Sequence, residues 1–528
     1  MENLDLKDLK LKINILQVVE KYQSEVLTRK NILFHMNSFF KYLFFLICIT
    51  FIGACNNSDE KIIPDEPVVT LSASPTNFIF EAEGGTTSFD VTSNTTWRIN
   101  FESSSWCKPS IQTTSGNATV NLTAEANNLE EVRSMSLTIS ATGTDNVILQ
   151  ISQAAKKPEP TISGYIEPDN TGMASDSKTL ASKMFLGWNI GNTLEAIGGE
   201  NAWGNPKVSN ELIQAVKAAG FNAIRIPCAW NQYIEDQTTY EIKESWLARV
   251  KEVVDYCVSN DMYAVLNIHW DGGWMENNCT PDKQEAVNKK LAAIWKQIAI
   301  YFRDYDEHLL FAGANEPNAE NQEQVNVLKV YMQTFVNVVR GTGGRNTYRN
   351  LIVQAPFTDI DKADQFMTLP TDATANRLLA EVHYYSPWQF CGLTEDASWG
   401  KMYYFWGAAY HITGAEGRYP NWDCEEGYLK AQFQKMKVKF VDADVPIILG
   451  EFGAVHRTIT ESALWQQKHD ESIGYFFEQV TQEAKNHGMV PFFWDNGDGI
   501  FDRNKLTISD QLGYNGLVKG ANAGKYPF

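Results

Sequence analysis

From residue 174 to the C-terminus the chain alternates short apolar runs with amphipathic stretches, and it does so eight times. The apolar runs fall at 186–193, 221–230, 262–271, 309–317, 350–357, 378–387, 445–455 and 489–496. Runs this short and this uniformly apolar read as strands buried on both faces, the signature of a parallel sheet covered by helices. Between them, Trp246, Val250, Val253 and Cys257 recur at helical spacing, as do Leu291, Ile294, Trp295, Ile298 and Phe302. Eight strand–helix units in about 350 residues imply a closed (β/α)8 TIM barrel with inserted loops. A doubly wound open sheet alternates in the same way, but it usually carries a Gly-rich turn after its first strand, and none stands there.

The segment before the barrel obeys a different period. Within 66–156 the apolar residues alternate with polar ones, as in Phe89 and Val91, in Val120, Leu122 and Ala124, and in Met135, Leu137 and Ile139. Clusters of Ser, Thr, Asn and Gly punctuate them, so about seven short strands are expected, forming a small immunoglobulin-like β-sandwich. Residues 157–173 hold Pro158, Pro160, Gly164, Pro168 and Gly172, which break any periodic pattern and read as a linker. With 528 residues and 44% hydrophobic content, one large core and one small one are affordable.

Residues 1–55 carry an address. Lys41 precedes an apolar run from Tyr42 to Ala54, the length of a signal-peptide core and too short for a membrane-spanning helix. The run ends in Ile52-Gly53-Ala54-Cys55, which resembles a bacterial lipobox, so Cys55 is the expected lipidation site and the mature N-terminus. Met36 is the expected true start, and 1–35 an over-long N-terminus. The acidic Asn56-Asn57-Ser58-Asp59-Glu60 resembles export tags of outward-facing surface lipoproteins. A lipid-anchored protein on the cell surface or outer membrane is therefore expected.

A net charge of -19 without any cluster of Lys and Arg argues against nucleic acid as a partner. Aromatic residues make up 12% of the chain, with 15 Trp, many of them near the strand ends, which favours an uncharged ligand with flat apolar faces. Beyond Cys55, Cys107, Cys228, Cys257, Cys279, Cys391 and Cys424 show no C-x-x-C spacing, so no structural zinc is expected. Cys279, Cys391 and Cys424 lie in loop-like contexts where pairing is open. Gly341-Thr342-Gly343-Gly344 follows a helix and precedes a strand, the reverse of a phosphate loop, and reads as a helix stop. Asp495-Asn496-Gly497-Asp498-Gly499 lacks the distal glutamate of an EF-hand and reads as a turn.

In a barrel the C-terminal strand ends converge on one face, so residues far apart in sequence share a site. Walking those ends gives Asn189, Arg225, His269, Asn315-Glu316, His383-Tyr384-Tyr385, Glu451 and Trp494. Glu316 and Glu451 each emerge from an apolar strand. Two carboxyls about 5 Å apart allow one to attack an anomeric carbon while the other protonates the leaving oxygen, with configuration retained over two displacements. Taken singly, a Glu before Pro is usually a solvated loop charge, and a His or Arg after a strand is usually a structural partner. Their joint appearance in strand order reverses that.

This ordered set resembles glycoside hydrolase family 5, over most of 174–528. Asn315-Glu316-Pro317 after the fourth strand and Gly450-Glu451-Phe452-Gly453 after the seventh are the specific pairing. Gly187-Trp188-Asn189-Ile190-Gly191-Asn192 and Ala202-Trp203-Gly204-Asn205-Pro206 are similar to the family's fourth subfamily, endoglucanases on β-1,4-glucans. The resemblance implies Glu316 as acid/base, its pKa raised by burial and by Glu451, and Glu451 as nucleophile, kept ionised by Arg225 and Tyr385. It implies Asn315 on the 2-hydroxyl of the sugar, His269 and His383 as positioning groups, and Trp494 as a stacking floor. Trp203, Trp274, Trp388 and Trp399 are candidates for outer subsites. The implied activity is a retaining endo-β-1,4-glucanase without cofactor, acting as a monomer. Xyloglucan is the first choice of substrate, mixed-linkage glucan or cellulose next, mannan or xylan after that. The rival is a non-catalytic surface glycan-binding lipoprotein. The sandwich, through Glu83-Gly84-Gly85, Thr96-Trp97, Ser105-Trp106 and Leu149-Gln150-Ile151-Ser152-Gln153, resembles a BACON domain, either a glycan binder through Trp97 or Trp106 or a spacer with both rings in its core.

Overall fold

The computed structural model describes residues 68–528 apart from 103, 130 and 157–163. Residues 1–67, which include the signal-like run and Cys55, lie outside the described residues. The chain divides into two compact units, Met1–Pro158 and Glu159–Phe528.

The first unit is a sandwich of nine strands rather than seven. One sheet orders Leu71–Ser74, Gly85–Ser93, Ala118–Ala124 and Cys107–Pro109; the other orders Asn77–Phe80, Val147–Gln153, Arg133–Ala141, Thr96–Asn100 and Thr113–Ser115. The two extra strands are three-residue pieces, Cys107–Pro109 and Thr113–Ser115, too short to show a period in sequence. Asn77–Phe80 runs parallel to Val147–Gln153, an exception in an otherwise antiparallel fold. Inward residues such as Phe89, Val91, Ile99, Val120, Leu122, Leu137 and Leu149 form its core. Trp97 belongs to that core at 1% exposure, its indole N–H donating to the Gly116 carbonyl at 2.8 Å. Trp106 packs against the same core, with the Arg133 guanidinium 4.6 Å from its ring centre. Trp97 is closed to any ligand and Trp106 is partly buried under Arg133, which favours the spacer reading.

The second unit is a closed barrel of eight parallel strands: Gly187–Ile190, Ala223–Ile226, Tyr263–Asn267, Leu309–Ala312, Leu351–Gln354, Leu378–Tyr384, Ile447–Phe452 and Met489–Asp495. Closure pairs the first strand with the eighth, Asn189 opposite Trp494. Every strand is buried on both faces, but the two faces differ. Side chains such as Ile224, Leu266, Phe311, Val353, Val382 and Phe493 point outward into one large core with the helices. Ala223, Val265, Leu310, Ile352, Leu379, Ile448, Val490 and Phe492 fill the inside of the barrel. The helix Ser177–Lys183, capped by Asp176 accepting from the Thr179 N–H, presses Leu180, Ala181 and Met184 into that same interior cluster and closes it from below. The interior is thus a packed plug, and only the layer above it is free for polar side chains.

The expected linker is shorter than its composition suggests. Its described part, from Gly164 to Met173, is docked on the barrel: Ile166 N–H donates to Thr342 O, Gly344 N–H to Ile166 O, and Glu307 N–H to Gly172 O. This explains the Gly343-Gly344 pair after the helix Gln322–Gly341, because a Cβ on Gly343 would lie 1.8 Å from the Ile166 carbonyl oxygen. Pro and Gly here make an extended strap rather than a free hinge. All six described cysteines are buried free thiols, those in loop-like contexts included.

Candidate active site

Alternation along each barrel strand decides which side chains reach the site. In the sixth strand Leu379, Glu381 and His383 point inward, while Ala380, Val382 and Tyr384 pack outward. The seventh strand breaks that rule. Ile448 is inside, so strict alternation would send Glu451 outward. The register instead slips at Gly450, with Val382 opposite Leu449 but His383 opposite Glu451, and again one residue is extra against the eighth strand. This bulge reverses the phase and turns Glu451 into the site, while Phe452 packs outward against Phe477 and Phe493. Gly450 has to be glycine there, since a Cβ would stand 2.1 Å from Glu381 Oε1 and 2.9 Å from His383 Nε2.

One carboxylate oxygen of Glu316, one of Glu451 and a ring nitrogen of His383 all lie within 4.8 Å of one another. The two carboxyls live differently. Glu451 is 7% exposed and ion-paired to Arg225 Nη1 at 2.8 Å, and it accepts from the Tyr385 hydroxyl at 3.1 Å. Glu316 is 42% exposed, opening to the cleft, with His383 Nδ1 at 2.7 Å and the Thr358 hydroxyl at 3.4 Å. Its backbone N–H donates to Glu276 Oε1 at 2.6 Å.

Below them lies a buried polar layer. Arg225 is fully buried; it donates to Asn189 Oδ1 at 3.1 Å and Asn315 Oδ1 at 2.8 Å, and pairs with Glu381 at 3.0 Å. Asn189 in turn donates to the Gly450 carbonyl at 2.9 Å, so it is a strut under the bulge rather than a sugar contact. Glu381 also meets His383 Nε2 at 3.2 Å and accepts from Gln354 at 2.6 Å. Because Arg225 holds the Asn315 oxygen, the amide end of Asn315 is turned the other way, as a donor to a sugar hydroxyl requires.

The charges distribute differently from expectation. Burial alone would drive His383 down, but Glu451, Glu316 and Glu381 outweigh it and push its pKa up to about 9. Burial likewise raises the Glu316 carboxyl, yet the His383 hydrogen bond and charge, with Arg225 and Thr358, hold it below the usual range rather than above it. Burial, opposed by His383 and Arg225 and helped by Glu316, lifts Glu451 above the usual carboxylate range. These opposed directions favour the protonated form of His383 beside an ionised Glu316, the two joined by one hydrogen bond. His269 is the opposite case, kept neutral by burial and by the charges of Arg225 and His383. Its ring stacks on Trp494 at 5.7 Å and 6°.

Glu316, His383 and Glu451 are, among the described residues, the one group near enough to share a metal ion. Arg225 is ion-paired to Glu451, and the surrounding carboxylates favour the protonated form of His383, which does not ligate a metal. The donor set suits proton transfer better than metal binding.

Of the aromatic candidates, Trp203, Trp388 and Trp399 are 44%, 51% and 61% exposed, as platforms must be. Trp203 lines a cleft of about 860 Å3 together with Asn192, Asn205, His456 and Asn496. Trp274 is instead tied down: its indole N–H donates to Asp271 at 2.7 Å and Lys290 lies 4.5 Å from its ring centre. Trp270, 44% exposed, was not among the sequence candidates. Also missed were Glu276, Glu381 and Thr358. Glu381 had a signal, being an acid inside an apolar strand two residues before His383; Glu276 and Thr358 sit in three-residue 3-10 turns, Glu276–Asn278 and Pro356–Thr358, too short to carry one. The turn at 495–499 is confirmed, with Asp495 taken up by the Trp188 indole, the Gly497 and Ile500 N–H groups and Arg503.

The chain is similar to known proteins along most of its length. Residues 189–499 match the family model described as cellulase (glycosyl hydrolase family 5), and residues 95–154 match the BACON model, described as a putative N-terminal binding domain. The chain is 36% identical over 504 residues to the xyloglucan-specific endo-beta-1,4-glucanase of Bacteroides ovatus, covering 91% of this chain and 96% of that protein. Endoglucanase A of Paenibacillus barcinonensis is 34% identical over 372 residues, covering 65% and 89%. Among solved structures, a Bacteroides ovatus GH5 xyloglucanase in complex with a XXXG heptasaccharide superposes with a TM-score of 0.67 at 36% identity, over 86% of this chain and all of that one. A broad-specificity endoglucanase from Ruminococcus champanellensis with bound cellotriose gives 0.56 at 31% identity, over 65% and 99%. A closed barrel, a carboxylate pair at its open face and these matches lead to one statement: the chain belongs to glycosyl hydrolase family 5 and is a glycoside hydrolase of its endoglucanase group.

Proposed function

We propose that this enzyme cleaves the β-1,4-glucan backbone of xyloglucan internally and with retention of configuration. The observation that carries the reading is the separation of Glu316 and Glu451, within 4.8 Å, which fits a covalent intermediate and leaves no room for the water of an inverting enzyme. Glu451 attacks the anomeric carbon, oriented by Arg225 and Tyr385. The proton held on His383 passes along its 2.7 Å hydrogen bond to Glu316 and on to the departing oxygen. As the Glu451 charge is consumed in the glycosyl ester, the electrostatic reason for His383 to keep that proton weakens. In the second displacement water enters and Glu316 takes its proton back.

The choice of xyloglucan rests on the Bacteroides ovatus relative and on the roomy cleft beside Trp203, which suits a branched chain. A panel of xyloglucan, mixed-linkage glucan, carboxymethylcellulose, mannan and xylan, read by reducing ends and product size, tests it. Fastest release from xyloglucan, as oligosaccharides, is expected; preference for an unbranched glucan would move the assignment to a general endoglucanase. No release from any of them would favour the glycan-binding rival. The same reading places the enzyme on the outer cell surface, anchored through Cys55 and acting as a monomer. The apolar run ending at Cys55 and the acidic residues after it support this placement. Labelling with a radioactive fatty acid in cells, lost in Cys55→Ser, tests it.

A further inference from the structure

A third carboxyl stands behind the acid, and the two-glutamate chemistry gives it no part. Glu276 is 4% exposed and heads the short turn Glu276–Asn278 in the loop after the third barrel strand. Burial pushes its pKa up to about 7 against the pull of the Glu316 N–H, with the charges of Glu316 and Glu451 adding to the rise. An acid this deeply buried is costly to keep, and it persists where its oxygens have donors to satisfy.

Those donors come from the acid's own loop. Glu276 Oε1 accepts from the Glu316 N–H at 2.6 Å, the Glu276 carbonyl accepts from the Asn318 N–H at 2.9 Å, and Asn318 gives its side-chain amide to Asn277. The turn is braced from behind by Asn278, which donates to the Trp274 carbonyl at 3.0 Å and accepts from the Tyr331 hydroxyl at 2.8 Å. The loops after the third and fourth strands are thus clasped together. Between them sits Asn315. Arg225 holds its oxygen at 2.8 Å, so its NH2 group points away from the guanidinium. The Asn315 side chain also lies against the Glu276 carboxyl and, as a donor, favours its charged form. An amide NH2 carries two hydrogens, so one directed to Glu276 leaves the other for a ligand. An amide held between a guanidinium and a carboxylate is fixed in its plane and polarised toward donation.

We infer that Glu276 is a positioning residue: from the side opposite Arg225 it fixes the Asn315 amide, so that the second amide hydrogen meets the 2-hydroxyl of the sugar being cleaved. That hydrogen bond strengthens as the oxocarbenium-like transition state forms, so the carboxyl acts on rate without touching substrate. The inference rests on the hydrolase reading above.

The test uses the whole enzyme and a pair of aryl β-glycosides of the oligosaccharide that the wild-type enzyme releases fastest. The two are alike except that one lacks the 2-hydroxyl on the sugar bearing the aryl group. Their intrinsic difference in reactivity cancels when the kcat/KM ratio of the pair is compared between variants, and that ratio does not depend on how much enzyme is folded. Glu276→Gln keeps the shape but offers one acceptor oxygen to two donors. At about pH 7.5, where most of Glu276 is ionised, the ratio of parent to 2-deoxy substrate should fall roughly fivefold to tenfold in this variant. Asn315→Ala should lower the ratio at least as far, and adding Glu276→Gln to it should lower the ratio no further. A ratio unchanged in Glu276→Gln, even with a loss of rate common to both substrates, overturns the inference. A further fall in the double variant, or a wild-type enzyme indifferent to the 2-hydroxyl, overturns it as well. A wild-type enzyme that cleaves no β-glucan would defeat the functional reading itself, a different result from any of these.

Discussion

At the scale of single residues, the two glutamates are separated by what touches them rather than by their own chemistry. Glu451 has Arg225 and Tyr385; Glu316 has His383 and Thr358. Glu451→Ala should lower turnover by roughly three orders of magnitude or more, since no other carboxylate reaches the anomeric carbon. Azide should rescue it and give the inverted glycosyl azide; absence of rescue would point to another role. Glu316→Ala should lose activity on polysaccharide by a similar factor but far less on substrates whose aryl leaving group needs no proton. An equal loss on both would remove it as the acid. One of the residues missed by sequence, Glu381, yields a third outcome. It is fully buried between Arg225 and His383, so Glu381→Gln removes one of the carboxylates that raise His383. The basic limb of the pH–rate profile should then move to lower pH, and an unmoved limb would show that His383 is not the proton's resting place.

At the scale of elements, strands and helices were legible because burial on both faces and helical spacing leave plain marks, and all eight strands form within their expected windows. The phase of the seventh was not legible. Apolar neighbours identify a strand, but only the slipped pairing at Gly450 shows that Glu451 faces inward. Gly450→Ala is the test of that element. Its Cβ would collide with Glu381 and His383, so activity should drop on the order of a hundredfold, while far-ultraviolet circular dichroism keeps the barrel's signature. Near-normal activity would mean the bulge does not set the site. Thr358 escaped for a related reason: it stands in a left-handed turn that no local pattern announces.

At the scale of the whole molecule, buried acids shape the response to pH. Burial pushes Glu195, Asp271 and Glu276 each up to about 7, and the surrounding carboxylates push His383 up to about 9. All four hold protons in the folded state that the unfolded chain has already released, so stability falls as pH rises through their folded values. His269 and His469, held down by burial, act in the opposite sense, but mainly below the ordinary histidine range of about 6.5. Thermal melting should therefore be higher at about pH 6.5 than at about pH 8. A rise across that window would contradict the assignment of these buried groups. Domain order was readable from the change of period at about residue 174. The strap at 164–173 was not, because Pro and Gly read alike whether a segment is free or docked, and its partners lie more than 130 residues away. The most direct measurement of the central claim is the site of covalent attachment. A 2-deoxy-2-fluoro glycoside with a good leaving group, followed by peptic digestion and mass spectrometry, should place one fluorosugar on the peptide bearing Glu451. A label on any other residue, or products released with inverted configuration and no label, would contradict it.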